Sequence, residues 1–348
     1  MAIFFNGHEA GRLFYNGQEI ESAWTGINGV PTQVFATSYH QTRLFISDYT
    51  KGVYESTDGG LNWFQILDSS VITQDITFNK ETNTYYVLRG SYLYEYDSKS
   101  DFTSYKARHS FPGGTLVPSN IVWAGTGNRI VYISFGQQIR YTDDFFVTTY
   151  AASGLTSAHY DSRTLVYVNG LFYAYNSYVG HAISNDGVNW VEFSNTFDTY
   201  SAIAPTASYD KDYILISGNV GSSTSDARLM RIPVDVDLES PTYYIVGSGS
   251  YNYFGKISVS PRKWMGMGDY SYFYMGNPDG SSMSRLTNTG VTLCLYSLYS
   301  SKIDRHIVIP FGVTKMYLVD DQNYAKANWE VVSGYKPSTY STLFLKEI

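Results

Sequence analysis

Short strand-like runs of apolar and aromatic residues, separated by turn residues, recur along the chain. Two similar segments punctuate them, Ser56-Thr-Asp-Gly-Gly-Leu-Asn-Trp63 and Ser184-Asn-Asp-Gly-Val-Asn-Trp190. GVYE (52–55) and GHAI (180–183) precede these segments, and FQIL (64–67) and VEF (191–193) follow them. A degraded third copy runs from Tyr141 to Tyr150. Each is expected to be a hairpin with a tight Asp-Gly turn at its tip, because glycine accepts the positive φ such turns require.

The spacing of these copies implies an architecture. Trp63, Tyr150 and Trp190 lie 87 and 40 residues apart, about two periods and one period of 42. Extending the period picks out Tyr105, Tyr243, Arg285 and Trp329. Four strands can be marked in the second unit, DITF (75–78), TYYVLR (84–89), YLYEY (92–96) and FTSYK (102–106). In the last unit they are TLCLYS (292–297), HIVIPF (306–311), TKMYLV (314–319) and NWEVV (328–332). Four strands in 40–45 residues is the signature of a β-propeller blade. The expected fold is all-β, with about seven four-stranded blades counted from Gln33, six plus an accessory hairpin being the alternative. GNVGSSTSDAR (218–228) reads as a flexible insertion in the one irregular unit.

The N-terminal segment is different. Phe5-Asn6-Gly7-His8-Glu9 and Tyr15-Asn16-Gly17-Gln18-Glu19 repeat at a spacing of ten, and Asn-Gly between β-forming residues is a strong hairpin signal. Residues 1–25 are therefore expected to hold two small hairpins ending near Trp24, with Thr25–Pro31 as a linker and 26–348 as the propeller. A lone two-stranded hairpin is marginal in water, so this module needs something to pack on.

Composition narrows the function. Tyr 34, Phe 19 and Trp 6 make 17% of the chain, and such residues favour pleated, half-buried surfaces. A net charge of −7 argues against gripping a phosphate backbone, so no sequence-specific nucleic acid is expected as a partner. The single cysteine, Cys294, offers neither an internal disulfide framework nor a zinc site, and reads as a small buried hydrophobe. There is no secretory signal and no 18-residue apolar stretch, so a soluble product without membrane insertion is expected.

The two strong segments resemble the Asp-box of sialidase-like propellers, roughly Ser-x-Asp-x-Gly-x-Thr-Trp. Ser56, Asp58, Gly60 and Trp63 match it, with Asn62 where Thr is usual; Ser184, Asp186, Gly187 and Trp190 match a form one residue shorter. The resemblance implies structural residues at the turn between third and fourth strands, away from any active site. The doubled aromatic-Asn-Gly-x-Glu element is similar to short leaders on tailed-bacteriophage tail and appendage proteins. Together these imply a virion protein, assembled in the host cytoplasm as a homo-oligomer with other tail proteins. Its docking residues would be Phe5, Asn6, Gly7, Tyr15, Asn16 and Gly17.

Catalysis is the weaker expectation. Sialidase-like enzymes carry their first arginine in an aromatic-Arg-Ile-Pro motif; Met230-Arg-Ile-Pro233 lacks the aromatic and lies in the fifth unit, where a strand ending in proline explains it. The six histidines show no metal-ligand spacing, and Asp235-Val-Asp-Leu-Glu239 lacks the glycine turn of a calcium loop, so neither metal nor cofactor is expected. Carbohydrate binding fits the composition better, since tyrosine offers a ring face with a polar tip. Tyr175, Tyr178, Tyr251, Tyr253 and Tyr272 are the candidates, against the alternative that they fill spaces between blades. The expected function is a tail, baseplate or fibre component binding a host-surface glycan, the alternatives being an architectural nozzle or connector and a sialidase-like glycoside hydrolase.

Overall fold

Strands are the only regular elements among the described residues in the computed structural model of the chain. The described residues are 4–5, 8–9, 14–15, 18–19, 22–27, 30–36, 43–98, 102–111, 118–125, 127–134, 138–156, 164–176, 180–194, 206–220, 226–239, 242, 244–249, 257–267, 273–286, 294–310, 314–323, 329–332, 335 and 342–348, with the backbone alone in some strands. The chain divides into two units, Met1–Thr42 and Arg43–Ile348.

Arg43–Ile348 forms seven four-stranded antiparallel sheets, a seven-bladed β-propeller. The second blade holds Thr73–Asn79, Thr84–Arg89, Tyr92–Asp97 and Ala107–Ser110; the third holds Pro118–Trp123, Ile130–Ser134, Arg140–Thr142 and Tyr150–Ala151. The fourth runs Thr164–Val168, Leu171–Asn176, Gly180–Ser184 and Val191–Ser194, and the fifth Thr206–Ala207, Tyr213–Val220, Asp226–Pro233 and Tyr244–Gly249. The sixth has Ser258–Val259, Trp264–Met267, Phe273–Gly276 and Ser284–Leu286; the seventh has Cys294–Ser300, Arg305–Pro310, Tyr317–Val319 and Glu330–Val331. The first blade takes its innermost strand, Thr342–Glu347, from the C-terminal end of the chain and pairs it with Leu44–Asp48, followed by Gly52–Ser56 and Phe64–Leu67. Arg43 and Ile348 exchange backbone hydrogen bonds of 2.8 and 2.9 Å at the seam.

Both faces of every blade meet a neighbour, which explains why TYYVLR reads as an unbroken apolar run. Side chains alternate across a strand, so Tyr85 and Val87 face the first blade with Phe45, Val53 and Leu67. Tyr86 and Leu88 face the third with Ile121, Ile130 and Tyr132. Aromatic rings fill the wedge between blades; Tyr85, Tyr86, Tyr132, Tyr173 and Trp264 are fully buried.

Several expectations are corrected. The stretch 22–36 is a third hairpin, Ser22–Ile27 with Val30–Ala36, not a linker followed by a first blade, and the units divide after Thr42 rather than Thr25. Gln33 therefore does not open the propeller. At the two ends of the expected insertion, 218–220 and 226–228 are strand and pair with each other, Tyr213–Val220 running against Asp226–Pro233; residues 221–225 lie outside the described residues. The fourth strand of the second blade lies at Ala107–Ser110 instead of 102–106, because Phe102 takes a left-handed φ of 64° and turns into the core.

Candidate functional site

The two Ser-x-Asp segments lie between third and fourth strands, in the first and fourth blades. Asp58 Oδ1 accepts from the backbone N–H of Leu61 (3.1 Å) and Asn62 (3.0 Å) and from Ser56 Oγ (2.8 Å), and Asn62 Nδ2 donates to Oδ2 (2.7 Å). Asp186 repeats this with Val188, Asn189 and Ser184. Partial burial pushes both carboxyls up, but these hydrogen bonds outweigh it and hold them below the ordinary aspartate value. Gly60 (φ 101°) and Gly187 (φ 73°) let the turn press on the preceding blade, where a Cβ would sit 2.4 Å from Ile307 and 2.4 Å from Val131 respectively. Trp63 and Trp190 are buried there, each donating its indole N–H to the carbonyl of that glycine at 2.9 and 3.1 Å. All eight residues hold the fold.

In the degraded copy Thr142 replaces serine, donating to Asp144 (2.9 Å) and accepting from the Phe146 N–H (2.9 Å). Phe145 and Phe146 take the glycine positions at φ 55° and 72°, which carries Phe146 into the core in the tryptophan's role. Phe102 does the same in the second blade. The landmarks Tyr150 and Tyr105 are instead exposed, at 46% and 50%.

Phe5 and Tyr15 lie on two-residue strands whose registers, Phe5↔His8 and Tyr15↔Gln18, leave two residues between them. Asn6, Gly7, Asn16 and Gly17 lie outside the described residues, as do Tyr178, Tyr251, Tyr253 and Tyr272. Tyr175 is described only as backbone in Leu171–Asn176. Arg231 lies over the Tyr213 ring at 3.8 Å, with Asp279 3.9 Å away, in the strand that Pro233 ends.

Sequence reasoning missed an aromatic row on the second blade. Tyr92, Tyr94 and Tyr96 alternate onto one face of the third strand, and Tyr105 joins them ahead of the fourth. Ring centroids are 6.1 Å apart for Tyr92–Tyr94, 6.4 Å for Tyr94–Tyr96 and 5.1 Å for Tyr94–Tyr105. The inner end of the row is buried against the first blade, whereas Tyr92 and Tyr94 are half-buried and Tyr105 is exposed. Arg108, on the fourth strand, lays its guanidinium 4.5 Å from the Tyr92 ring. The alternation was legible in YLYEY, but the strand pattern alone did not show that Tyr92 and Tyr94 stay half-buried while Tyr96 is buried.

A buried polar cluster joins the sixth and seventh blades. Ser258 Oγ lies 2.7 Å from His306 Nδ1, and His306 Nε2 lies 3.5 Å from Asp321 Oδ2. The sequence of contacts imitates a catalytic triad, but Ser258, His306 and Asp321 are 3%, 0% and 2% exposed, and Ser260 and Arg262 also donate to Asp321. Burial raises the Asp321 carboxyl, yet hydrogen bonds from His306, Ser260 and Arg262 outweigh it and hold it well below the usual range. Burial drives His306 down. The group works as a tie between blades. Elsewhere Asp237 Oδ1 accepts the Glu239 N–H at 2.9 Å in a turn, and no group of three or more metal-ligating side chains gathers among the described residues. No helix among them is long and apolar enough to cross a membrane.

The fold is a seven-bladed β-propeller with a tyrosine row on the third strand of its second blade. No protein-family model matches the chain, and no curated protein does either. Solved structures match it at fold level. A putative 6-phosphogluconolactonase from Bacteroides uniformis is 8% identical with a TM-score of 0.61, over 89% of this chain and 100% of that one. YCF48 from Cyanidioschyzon merolae is 15% identical with a TM-score of 0.54, over 78% and 93%. The GH74 xyloglucanase from Xanthomonas campestris is 10% identical with a TM-score of 0.57, over 83% of this chain and 51% of that longer one. These likenesses concern the propeller alone, whose members serve unrelated functions.

Proposed function

We propose that the chain is a non-enzymatic virion protein of a tailed bacteriophage, a tail, baseplate or fibre component whose propeller attaches to host-surface carbohydrate. The observation that carries the attachment reading is the tyrosine row on the third strand of the second blade, with Tyr105 exposed beside it. Its rings offer apolar faces to a sugar and its phenols offer hydrogen bonds, the amphipathic combination that suits such ligands. Two features support the virion setting: the doubled Asn-Gly hairpins, and the Ser-x-Asp turns read as Asp-boxes. In this reading Met1–Thr42 docks on the particle and several copies occupy symmetric positions.

The test is binding of the purified full chain to an array of bacterial surface polysaccharides, beside Tyr105→Ala. Retention that falls with this exposed substitution, at unchanged melting temperature, is expected. Equal binding by both proteins would remove the site. Removal of residues 1–42 should abolish incorporation into particles while leaving the propeller folded; unimpaired incorporation would overturn the docking role. The alternative is a nozzle or connector, which a ring-shaped oligomer that retains no glycan would select.

A further inference from the structure

Charge on the tyrosine face of the second blade is unevenly matched. Tyr92, Tyr94 and Tyr96 share that face with their cross-strand partners Arg89 and Arg108. Arg89 is engaged, its guanidinium 2.9 Å from Asp68 of the first blade. Lys106, beside the row, lies 3.3 Å from Asp97. Glu95 and His109, 2.5 Å apart, occupy the opposite face, where Phe145 of the third blade stacks on His109 at 5.0 Å. Among the described residues Arg108 alone on this face has no carboxylate; it is exposed and rests on Tyr92.

We infer that the tyrosine edge takes an acidic glycan, a polysaccharide bearing carboxylates, with Arg108 as the residue that selects the acid. The inference rests on the attachment reading above. The rings receive the apolar face of a sugar, while Tyr92 holds the guanidinium plane and leaves its N–H fork free for a carboxylate. Arginine binds carboxylates in this paired fashion, and lysine, a point charge, does not reproduce it. The protein as a whole carries −7, so a polyanion is repelled in general and retention requires a local cation placed among apolar contacts. Arg108 supplies that cation where the rings also are.

The test is affinity electrophoresis of the full chain through gels containing polygalacturonate, hyaluronan, alginate or polysialic acid, beside neutral dextran and galactomannan and beside dextran sulfate. At least one carboxylated polymer should retard the protein. Arg108→Ala should weaken that binding about tenfold to a hundredfold, the range for a charge-assisted pair. Arg108→Lys should restore only part of it, and both variants should melt as the parent does because the side chain is exposed. Retardation by neutral polymers alone, by dextran sulfate alone, or undiminished in Arg108→Ala would overturn the acidic-glycan inference and leave the attachment reading standing. Absence of retardation by any polymer would overturn both.

Discussion

The seam between the first and second blades can be probed through one carboxylate. Asp75, on the innermost strand of the second blade, is 1% exposed. Its Oδ2 accepts from the Ile121 N–H of the third blade (2.9 Å) and from the Asn120 side-chain amide; its Oδ1 accepts from the Ile76 N–H (2.8 Å) and the Lys346 ammonium of the closing strand. Asp75→Ala strips the anion from a cation and two backbone donors. Removing one partner of a buried ion pair costs about 3–5 kcal/mol. The Lys346 side chain is 25% exposed, so water recovers part of this, and the expected loss is about 3 kcal/mol. Asp75→Asn keeps an acceptor and should lose less. Equilibrium urea unfolding of the full chain, in a double-mutant cycle with Lys346→Met, should give a coupling of about 1–2 kcal/mol. A loss under about 1 kcal/mol for Asp75→Ala, or no coupling to Lys346, would refute the idea that this carboxylate ties three blades together.

Three further predictions follow from the turns and the buried cluster. Asp58→Ala and Asp186→Ala should each lower stability by about 1–2 kcal/mol without altering glycan retention, because several hydrogen bonds go but the freed N–H groups reach water; loss of binding at unchanged stability would give the turns a direct role. His306 is held neutral by burial, so its contribution is complete above the unfolded histidine value, about 6.5, and shrinks as pH falls below it. Asp321, held low, adds a second loss below about pH 4; His306→Gln should flatten the first limb, and a limb that persists would place its origin elsewhere. Lys211 holds an exposed left-handed turn at φ 65°, so Lys211→Gly should raise the unfolding free energy by about 0.5 kcal/mol, and a fall would show that its side chain matters.

Periodicity made the propeller legible because each blade is a local meander, and its strand-three-to-four turns carry a repeated chemistry. The turn around Ser56, Asp58 and Trp63 is expected from the repeated segment, and the structural role of these residues from its resemblance to the Asp-box. The closing strand could not, since Thr342–Glu347 pairs with Leu44–Asp48 some 300 residues away and looks like any other innermost strand. The period picks out Tyr105 and Tyr150, but the buried rings at these turns are Phe102 and Phe146, whose positive φ is rare for phenylalanine and so has no signal in the spacing. The tyrosine candidates lie in other tyrosine-rich segments, whereas YLYEY reads only as a strand. Tyr96 is buried in the core, and Tyr92 and Tyr94 are only half-buried.

Closure by the last strand also bears on mechanics. The N-terminal unit is joined to the propeller through Thr42 and Arg43, immediately before Leu44–Asp48. That strand is no free edge: Thr342–Glu347 grips one side and Gly52–Ser56 the other. Tension arriving through residue 42 must therefore break two hydrogen-bonded ladders together before the first blade yields. Were the sheet's innermost strand supplied by the stretch just after residue 42, the same pull would peel a single ladder, bond by bond. A pull through residue 42 is therefore shared between two ladders, which makes the first blade a firm mechanical anchor for whatever precedes it in the chain.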